Sequence, residues 1–502
     1  MLGYSLSDIS GIKDSFPYRL LYYGNYLDNF TPQEHMFNNS SSYIDFVEKN
    51  GTGILNFIDC LKKYNISDVV ATKRVVDLFA TYITSLDGSF QDYFSLSSLS
   101  LGLYYKRFPD SKVLKSIKPN EVSEYIRPSF FGGRVEVFGN AEPFENVLHF
   151  DYSGMYATQL LTDVPAGEFL IENNYQTLTS SKFMRNGLFI KPGFYRVETT
   201  NDLEIPVLPI RKKIGLSSKL VFPNGHLKGT YWYEELNLAL EMGYKLIQIH
   251  SCAYPEHYSN YFTEYVEQIS NTRKTGPFEK KVGKLLVNAL YGRFGLRPGG
   301  DIYEFKKKPS TDYKESQVYD VNGIKIYRRS LLEDKANLST ISNVSISSCI
   351  ASKARCRLYR GYITVKKSGG RILYSDTDSL FAAYPRNVDI LDVDLGDSII
   401  FDSNLDDTEI IDSRFCAAKS YALVYKSGVS IAKIKGVKKG EISFEEVKRS
   451  FDNDQMITTK VTQWEKKDFE FKQKDVFKKT RLHQYNKRIF SNNKKYTKPL
   501  IH

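Results

Sequence analysis

Apolar residues change their spacing several times along this 502-residue chain, and each change marks a predicted element. Residues 1 to about 110 alternate short apolar runs with polar turns. Within them, NISDVVATKRVVDLFATYI sets Val69, Val70, Val76, Phe79 and Ala80 at near-helical spacing, which predicts a helix. A turn cluster, RPSFFGGRVEVFG, precedes a short apolar strand ending at Asp151, and a helix-like segment carrying Met155, Tyr156, Leu160 and Leu161 follows. GLFIKPGFYRVET, IPVLPI and KLIQIHSCAY have strand character, and YWYEELNLALEMG, between the last two, predicts a helix ending at Gly243. A strong helix is expected from Glu279 to Tyr291, then a polar, turn-rich stretch from Leu296 to about Leu331. Helix returns over about Ser342 to Tyr362, and a hairpin is centred near Asp376. Without regular strand–helix–strand alternation, the mixture reads as α+β with mostly antiparallel strands.

Composition narrows this picture. At 502 residues the chain exceeds one compact core, so several subdomains are expected, and 41% hydrophobic residues suffice to build them. No run of 18 apolar residues occurs, which argues against a membrane span. The start, MLGYSLSDISGIKDSF, lacks the basic and apolar regions of a secretory signal and the Arg-rich pattern of an imported organelle protein. Cys60, Cys252, Cys349, Cys356 and Cys416 are scattered with no CxxC pair, against a disulfide framework or structural zinc. With seven histidines as well, a metal is expected on hard carboxylate oxygens, which suit magnesium or manganese.

The net charge of +11 is unevenly placed: residues 431–502 hold 19 Lys+Arg against 9 Asp+Glu, a difference of +10. A basic run can be a plain solvated surface. Here lysines interleave with aromatics, as in FEFKQKDVFKKTRLHQYNKRIF, a pattern that also suits a segment tracking phosphates.

Three constellations carry chemistry. In RILYSDTDSLFAAYP, two apolar arms flank Ser375-Asp376-Thr377-Asp378-Ser379, and strand alternation would put Asp376 and Asp378 on one face. Paired carboxylates repel unless cations separate them, although a bare DxD is also an ordinary turn. In NVLHFDYSGMYATQLL, Asp151 ends a strand, as a helix N-cap or as a third carboxylate of a two-metal phosphoryl-transfer site. In KKVGKLLVNALYGRFG, Lys284, Asn288 and Tyr291 share one helix face opposite Val282, Leu286 and Ala289, a stripe suited to a triphosphate and a base pair or simply to solvent.

Together these segments resemble the family B DNA polymerases. Asp151-Tyr152-Ser153-Gly154-Met155-Tyr156-Ala157 is similar to motif A, Lys284 to Gly292 to motif B, and Tyr374 to Ser379 to motif C. Lys419-Ser420-Tyr421 resembles the KxY motif that contacts the primer, and Phe130-Phe131-Gly132-Gly133 the YxGG motif linking exonuclease and polymerase modules. The resemblance implies catalytic Asp151, Asp376 and Asp378, with two Mg2+ or Mn2+ ions on Asp151, Asp378 and the Tyr152 carbonyl. It further implies Lys284 and Arg273 on the triphosphate, Tyr156 against the sugar, and Asn288 and Tyr291 at the nascent pair. Primer and template DNA would meet Lys419, Tyr421, Thr377, Gly132, Gly133 and Lys435. The implied fold is a right-hand polymerase of palm, fingers and thumb after a partial ribonuclease H-like exonuclease domain.

The implied boundaries are an exonuclease-like domain over 1–125 and a polymerase domain over 126–502. Within the latter, fingers fall at about 262–295, an insertion at about 296–331 and a thumb at about 431–502. The 88 positions from Asn288 to Asp376 exceed what the plain family needs, and the excess resembles the second insertion of the protein-primed subgroup. Residues Ser218 to Tyr261 would overlap the first insertion, which contacts a terminal protein. The wording resembles enzymes of linear mitochondrial plasmids, which implies a mitochondrial location.

The chain departs from the family at Gly154 and Ala289, where serine is usual, at Ala157, where proline is usual, and at Phe130, where tyrosine is usual. Tyr64-Asn65-Ile66-Ser67-Asp68 resembles the third exonuclease motif, with Tyr64 and Asp68 the functional pair. The paired Asp-x-Glu of the first exonuclease motif is absent upstream, so no 3′–5′ exonuclease activity is expected and the chain reads as N-terminally truncated. The expected function is template-directed DNA synthesis from dNTPs, primed by a protein. The alternative is a catalytically dead remnant that only binds DNA.

Overall fold

The computed structural model describes residues 15–17, 29–37, 40–93, 95–108, 114, 121–215, 217–296, 302–305, 313–321, 324–331, 343–385, 400–401, 409–437, 440–467, 470–482 and 485–502. By contact the chain forms two compact units, 1–109 with 267–290 and 110–266 with 291–502. This division differs from the expected boundary at 125/126, and it groups much of the expected fingers with the N-terminal residues.

In the first unit the predicted helix forms as Phe57–Ser85, capped by the Asn56 side chain, which accepts from the Asp59 amide. Its buried face is not the one the spacing suggested. Phe57, Cys60, Ala71, Val75, Tyr82 and Ile83 are buried, whereas Val69, Val70 and Val76 are exposed and Phe79 and Ala80 half-buried. A 29-residue helix offers apolar stripes on more than one side, and distant partners select among them. Phe57 joins Phe16, Phe30, Phe37 and Phe46 in an aromatic cluster, and the Tyr82 hydroxyl lies 2.8 Å from Thr272 Oγ1. Helix Pro277–Phe294 contains the expected 279–291 segment and buries Val282, Leu286, Val287 and Leu290. The Leu286 carbonyl accepts from Ser100 Oγ at 2.8 Å.

The second unit centres on an eight-stranded antiparallel sheet. Its main path runs Ser430–Lys433, Ser420–Tyr425, Glu409–Ala417, Glu145–Asp151, Ser379–Pro385, Arg371–Asp376 and Val135–Val137, with Ile400–Phe401 also on Glu145–Asp151. A second antiparallel sheet orders Gly225–Trp232, Phe194–Asn201, Lys245–Ser259 and Val164–Glu172. Helix Val344–Lys367, longer at its end than expected, packs against strands of both sheets and against helices Met155–Leu160 and Tyr233–Glu241. The expected start at Ser342 lies outside the described residues.

IPVLPI is not a strand up to Ile210, which begins Ile210–Ile214. Pro206 and Pro209 lack the amide a ladder needs, and the segment instead buries Ile205, Val207 and Leu208. The turn-rich insert holds strands Ile302–Phe305, Tyr313–Val321 and Ile324–Leu331 in one sheet, its remaining residues lying outside the described ones. In the basic C-terminal part, Met456–Lys467 and Glu470–Arg481 form a long hairpin. All five cysteines are buried and unpaired, and no described helix is long and apolar enough to cross a membrane.

On the second sheet Glu198 gathers three basic side chains. Lys228 Nζ and His250 Nε2 lie 2.9 Å from its Oε1, and His226 Nε2 lies 3.1 Å from its Oε2. Hydrogen bonds from Lys228 and then His250 draw its carboxyl down to about 2. A depressed carboxyl stabilises the fold above its ordinary value of 4.5, and that contribution is lost as pH falls toward 2. Glu198→Gln is therefore expected to melt lower at pH 7, and melting curves should show the gap closing as pH falls from 4.5 toward 2. A gap independent of pH would disprove the ionic account.

Candidate active site

The central sheet brings two expected segments together at one end. Asp376 closes strand Arg371–Asp376 and pairs in register with Ser379, so Thr377 and Asp378 form the turn between the strands. Pleat alternation, the basis for expecting both aspartates on one face, does not extend across this turn. Thr377 has φ +68°, its amide donates to the Arg134 carbonyl at 2.8 Å, and the Asp378 amide donates to the Asp376 carbonyl at 2.8 Å. Ser379 is also the register partner of Asp151 on the neighbouring strand, and the Tyr152 amide donates to the Asp378 carbonyl at 2.7 Å. Asp151 and Asp378 thus stand on backbone segments tied by one hydrogen bond.

Asp151 does not cap the following helix. Met155–Leu160 begins after Gly154, at φ +63°, with no side-chain cap. Tyr152 is buried, its hydroxyl donates to the Arg357 carbonyl at 3.2 Å, and burial pushes it up to about 12. The ring of Tyr156 stacks on that of Tyr291, 4.4 Å between centroids and 12° between planes.

Around Asp376 the charges are arranged closely. Lys419, at φ +60°, donates its amide to Tyr374 Oη at 2.9 Å and reaches both Asp376 oxygens with Nζ, at 2.8 and 2.9 Å. Tyr374 Oη donates to Asp376 Oδ2 at 3.4 Å. Tyr421 packs tilted against Tyr374, and Lys435 is exposed with its amide on Ser420 Oγ. Among the described residues no three His, Cys, Asp or Glu side chains form one compact ligand group. The donor set of three carboxylates and the Tyr152 carbonyl is nonetheless all hard oxygen, the chemistry that fits Mg2+ or Mn2+.

A family model described as DNA polymerase type B, organellar and viral, matches residues 9–362. The chain belongs to that family. A probable DNA polymerase of Podospora anserina is 24% identical over 78% of this chain and 34% of its own length; one of Neurospora intermedia is 27% identical over 68% and 33%. The DNA polymerase of canine adenovirus serotype 1 is 25% identical over 57% of this chain and 27% of its own. The chain therefore spans about a third of the length of such relatives. Phi29 DNA polymerase with primer-template DNA and incoming nucleotide superposes with TM-score 0.55 at 15% identity, covering 78% of this chain and 68% of that one. Its single-stranded DNA complex gives 0.57 at 13%, covering 89% and 72%. The fold of this type B polymerase chain is accordingly the α+β right-hand polymerase fold.

The other expected residues of the polymerase chain lie in the first compact unit. Lys284 is exposed and Asn288 half-buried on helix Pro277–Phe294, while Arg273 Nε is buried without a hydrogen-bond partner. Tyr64 and Asp68 lie one turn apart on helix Phe57–Ser85, with Tyr64 5.1 Å from the Phe16 ring.

Sequence reasoning missed two buried ion pairs beside the site. Arg355 meets Glu235 through Nε–Oε1 and Nη2–Oε2, both 2.7 Å, and gives Nη1 to the carbonyls of Phe131 and Gly132 at 2.8 and 3.3 Å. Arg134 clasps Glu136 Oε2 through Nε and Nη2 at 2.9 and 2.6 Å and donates to the Pro206 carbonyl at 2.7 Å. Arg355–Glu235 has no sequence signal, because Arg355 is one of several cations in KARCRLYR and Glu235 lies 120 residues away, whereas Arg134 and Glu136 stand two residues apart and only their burial marks them out.

Gly133 lies directly against the aspartate turn. A Cβ there would meet Thr377 Cγ2 at 2.6 Å and Oγ1 at 2.9 Å, whereas a Cβ on Gly132 would meet nothing within 4 Å. Gly133→Ala is expected to cost about 1–3 kcal/mol by overpacking, with Gly132→Ala near wild type. Urea unfolding of both variants checks this, and equal midpoints would show that the turn yields freely.

Proposed function

We propose that the chain is the polymerase portion of a DNA-directed DNA polymerase, adding deoxynucleotides to a primer on a DNA template with two divalent ions. The observation that carries this reading is the Tyr152–Asp378 backbone hydrogen bond, which sets Asp151 and the aspartate turn side by side within a type B polymerase fold. Asp151, Asp378 and the Tyr152 carbonyl are the proposed ligands, with Asp376 assisting. The ions would neutralise charge on the phosphates and activate the primer hydroxyl.

The remaining work falls to this chain's own side chains. Lys284 and Arg273 hold the triphosphate, Asn288 and Tyr291 face the nascent pair, and the ring of Tyr156 blocks a 2′-hydroxyl. Lys419, Tyr421, Thr377, Lys435 and the Gly132–Gly133 loop hold primer and template. The strand-rich insert between motifs B and C supports membership of the protein-primed subgroup, with a terminal protein as primer. Resemblance to plasmid polymerases supports a mitochondrial setting. A two-metal exonuclease needs more carboxylates than Asp68, so this chain by itself is proposed to lack 3′–5′ exonuclease activity.

Primer extension with Mg2+ or Mn2+ tests the reading. Asp378→Asn should slow extension at least about a hundredfold, the scale set by losing even an outer-shell metal contact. DNA binding without extension by the wild type would instead establish a remnant that only binds DNA. With deoxynucleotide use retained, Tyr156→Val should raise relative ribonucleotide incorporation by about 10-fold or more, the scale of a pocket-wall change; unchanged discrimination would remove Tyr156 from the sugar.

A further inference from the structure

Strand Val135–Val137 is the last in the sheet order. One edge pairs with Arg371–Asp376, in the register Tyr374↔Val137, Ser375↔Glu136 and Asp376↔Val135. Its outward edge has no strand partner among the described residues, a position that normally invites fraying or mispairing. Side chains from the C-terminal segment occupy that edge. The Val137 amide donates to Tyr485 Oη at 3.1 Å, and Lys487 Nζ donates to the Val135 carbonyl at 3.0 Å. Thr497 completes the row, its Oγ1 donating to the Val137 carbonyl and its amide to the Phe138 carbonyl, both at 2.9 Å.

The bracing segment is itself anchored. Asn486 Oδ1 accepts from Lys219 Nζ at 2.7 Å, and buried Arg488 donates from Nε to Thr497 Oγ1 at 2.8 Å and from Nη2 to the Glu204 carbonyl at 2.9 Å. The Tyr485 ring packs with the cluster holding Tyr374 and Phe415. Two of the outward-edge residues, Val135 and Val137, are the register partners of Asp376 and Tyr374. Asp376 begins the aspartate turn, and Tyr374 bonds both Asp376 and the Lys419 amide. Movement of Val135–Val137 would therefore be passed directly to the carboxylates.

We propose that Tyr485 and Lys487 are positioning residues, whose side chains act in place of a missing strand to hold Val135–Val137 and, through it, the Asp376–Asp378 turn. Lys487 is an unusual choice for one carbonyl, since burial lowers the pKa of its ammonium and an uncharged donor would satisfy the same oxygen. The acidic groups whose charge acts on it, Glu136 and Asp376, lie on the two strands being braced.

The proposal rests on the polymerase reading for its kinetic arm only. Tyr485→Phe, Lys487→Met and Lys487→Arg in the full chain are compared by hydrogen exchange and by primer extension. For Tyr485→Phe and Lys487→Met, exchange across residues 371–385 should quicken by about fivefold, the scale of one lost hydrogen bond, with residues 194–232 unchanged. Their maximal extension rate should fall by about as much at unchanged Kd for primer-template DNA, and Lys487→Arg should return both readouts to wild type. Unchanged exchange would overturn the brace, and faster exchange at full rate would reduce it to a structural contact. A loss confined to DNA affinity would make Lys487 a phosphate ligand instead. Should the wild type not extend primers, the polymerase reading fails while the exchange result still decides the brace.

Discussion

Carboxylates held at adjoining strand ends repel one another, and the surroundings of Asp376 are organised against that repulsion. Lys419 places an ammonium on both of its oxygens, and Tyr374 adds a hydroxyl. The arrangement asks two residues without glycine's freedom, Thr377 and Lys419, to hold positive φ. Such positions cost of order 1–3 kcal/mol each and persist only where the surroundings over-determine them. Each amide here has a fixed acceptor, the Arg134 carbonyl for Thr377 and Tyr374 Oη for Lys419. Strain and compensation are thus concentrated at the place where the proposed chemistry occurs.

Buried charge supplies the frame for that turn. Replacing a buried ion pair by apolar residues is often neutral or stabilising, so Arg134–Glu136 and Arg355–Glu235 are poor explanations of stability. Removing one partner is costly, which makes such pairs strong fixers of geometry. Arg134 shows how the two roles meet, because its side chain is locked to Glu136 while its carbonyl receives Thr377. Arg355 does the same for the preceding loop, joining Glu235 to the carbonyls of Phe131 and Gly132, next to the glycine that abuts Thr377. The turn is therefore held from the Arg134 side by backbone whose own position depends on one local ion pair and one that joins residues 120 positions apart.

The sequence was legible where the deciding physics is local. The strand ending at Asp151, the hairpin arms around Asp376, the helix ending before Gly243 and the helix bearing Lys284 all follow from spacing and breakers. Legibility failed where distant partners decide. The helix over 57–85 has its predicted type but buries another face, selected by Phe16, Phe46 and Thr272. Apolar content alone made IPVLPI look like a strand, although its two prolines withhold ladder donors and its side chains serve a core between elements. For the aspartates, residue types and order pointed to the site, but the pleat argument for their shared face did not survive the turn at Thr377.

The departures from family motifs can be weighed against this geometry. Gly154 stands where serine is usual, yet it adopts φ +63°, a conformation glycine reaches without the penalty of a side chain. Ala157, in place of proline, lies in the first turn of Met155–Leu160, where either residue is tolerated. Phe130, in place of tyrosine, offers its ring to Gly295 and its carbonyl to Arg211, and neither role needs a phenol hydroxyl. Ala289 is half-buried on a helix whose buried positions are filled by its neighbours. None of these changes removes a carboxylate, and none breaks a hydrogen bond described for the aspartate turn. A remnant released from selection would be expected to lose groups that serve only catalysis, and the strained, charge-balanced turn is where such losses would first register. That turn holds its carboxylates and their charge partners in this chain, which is what the proposed polymerase reading requires of it.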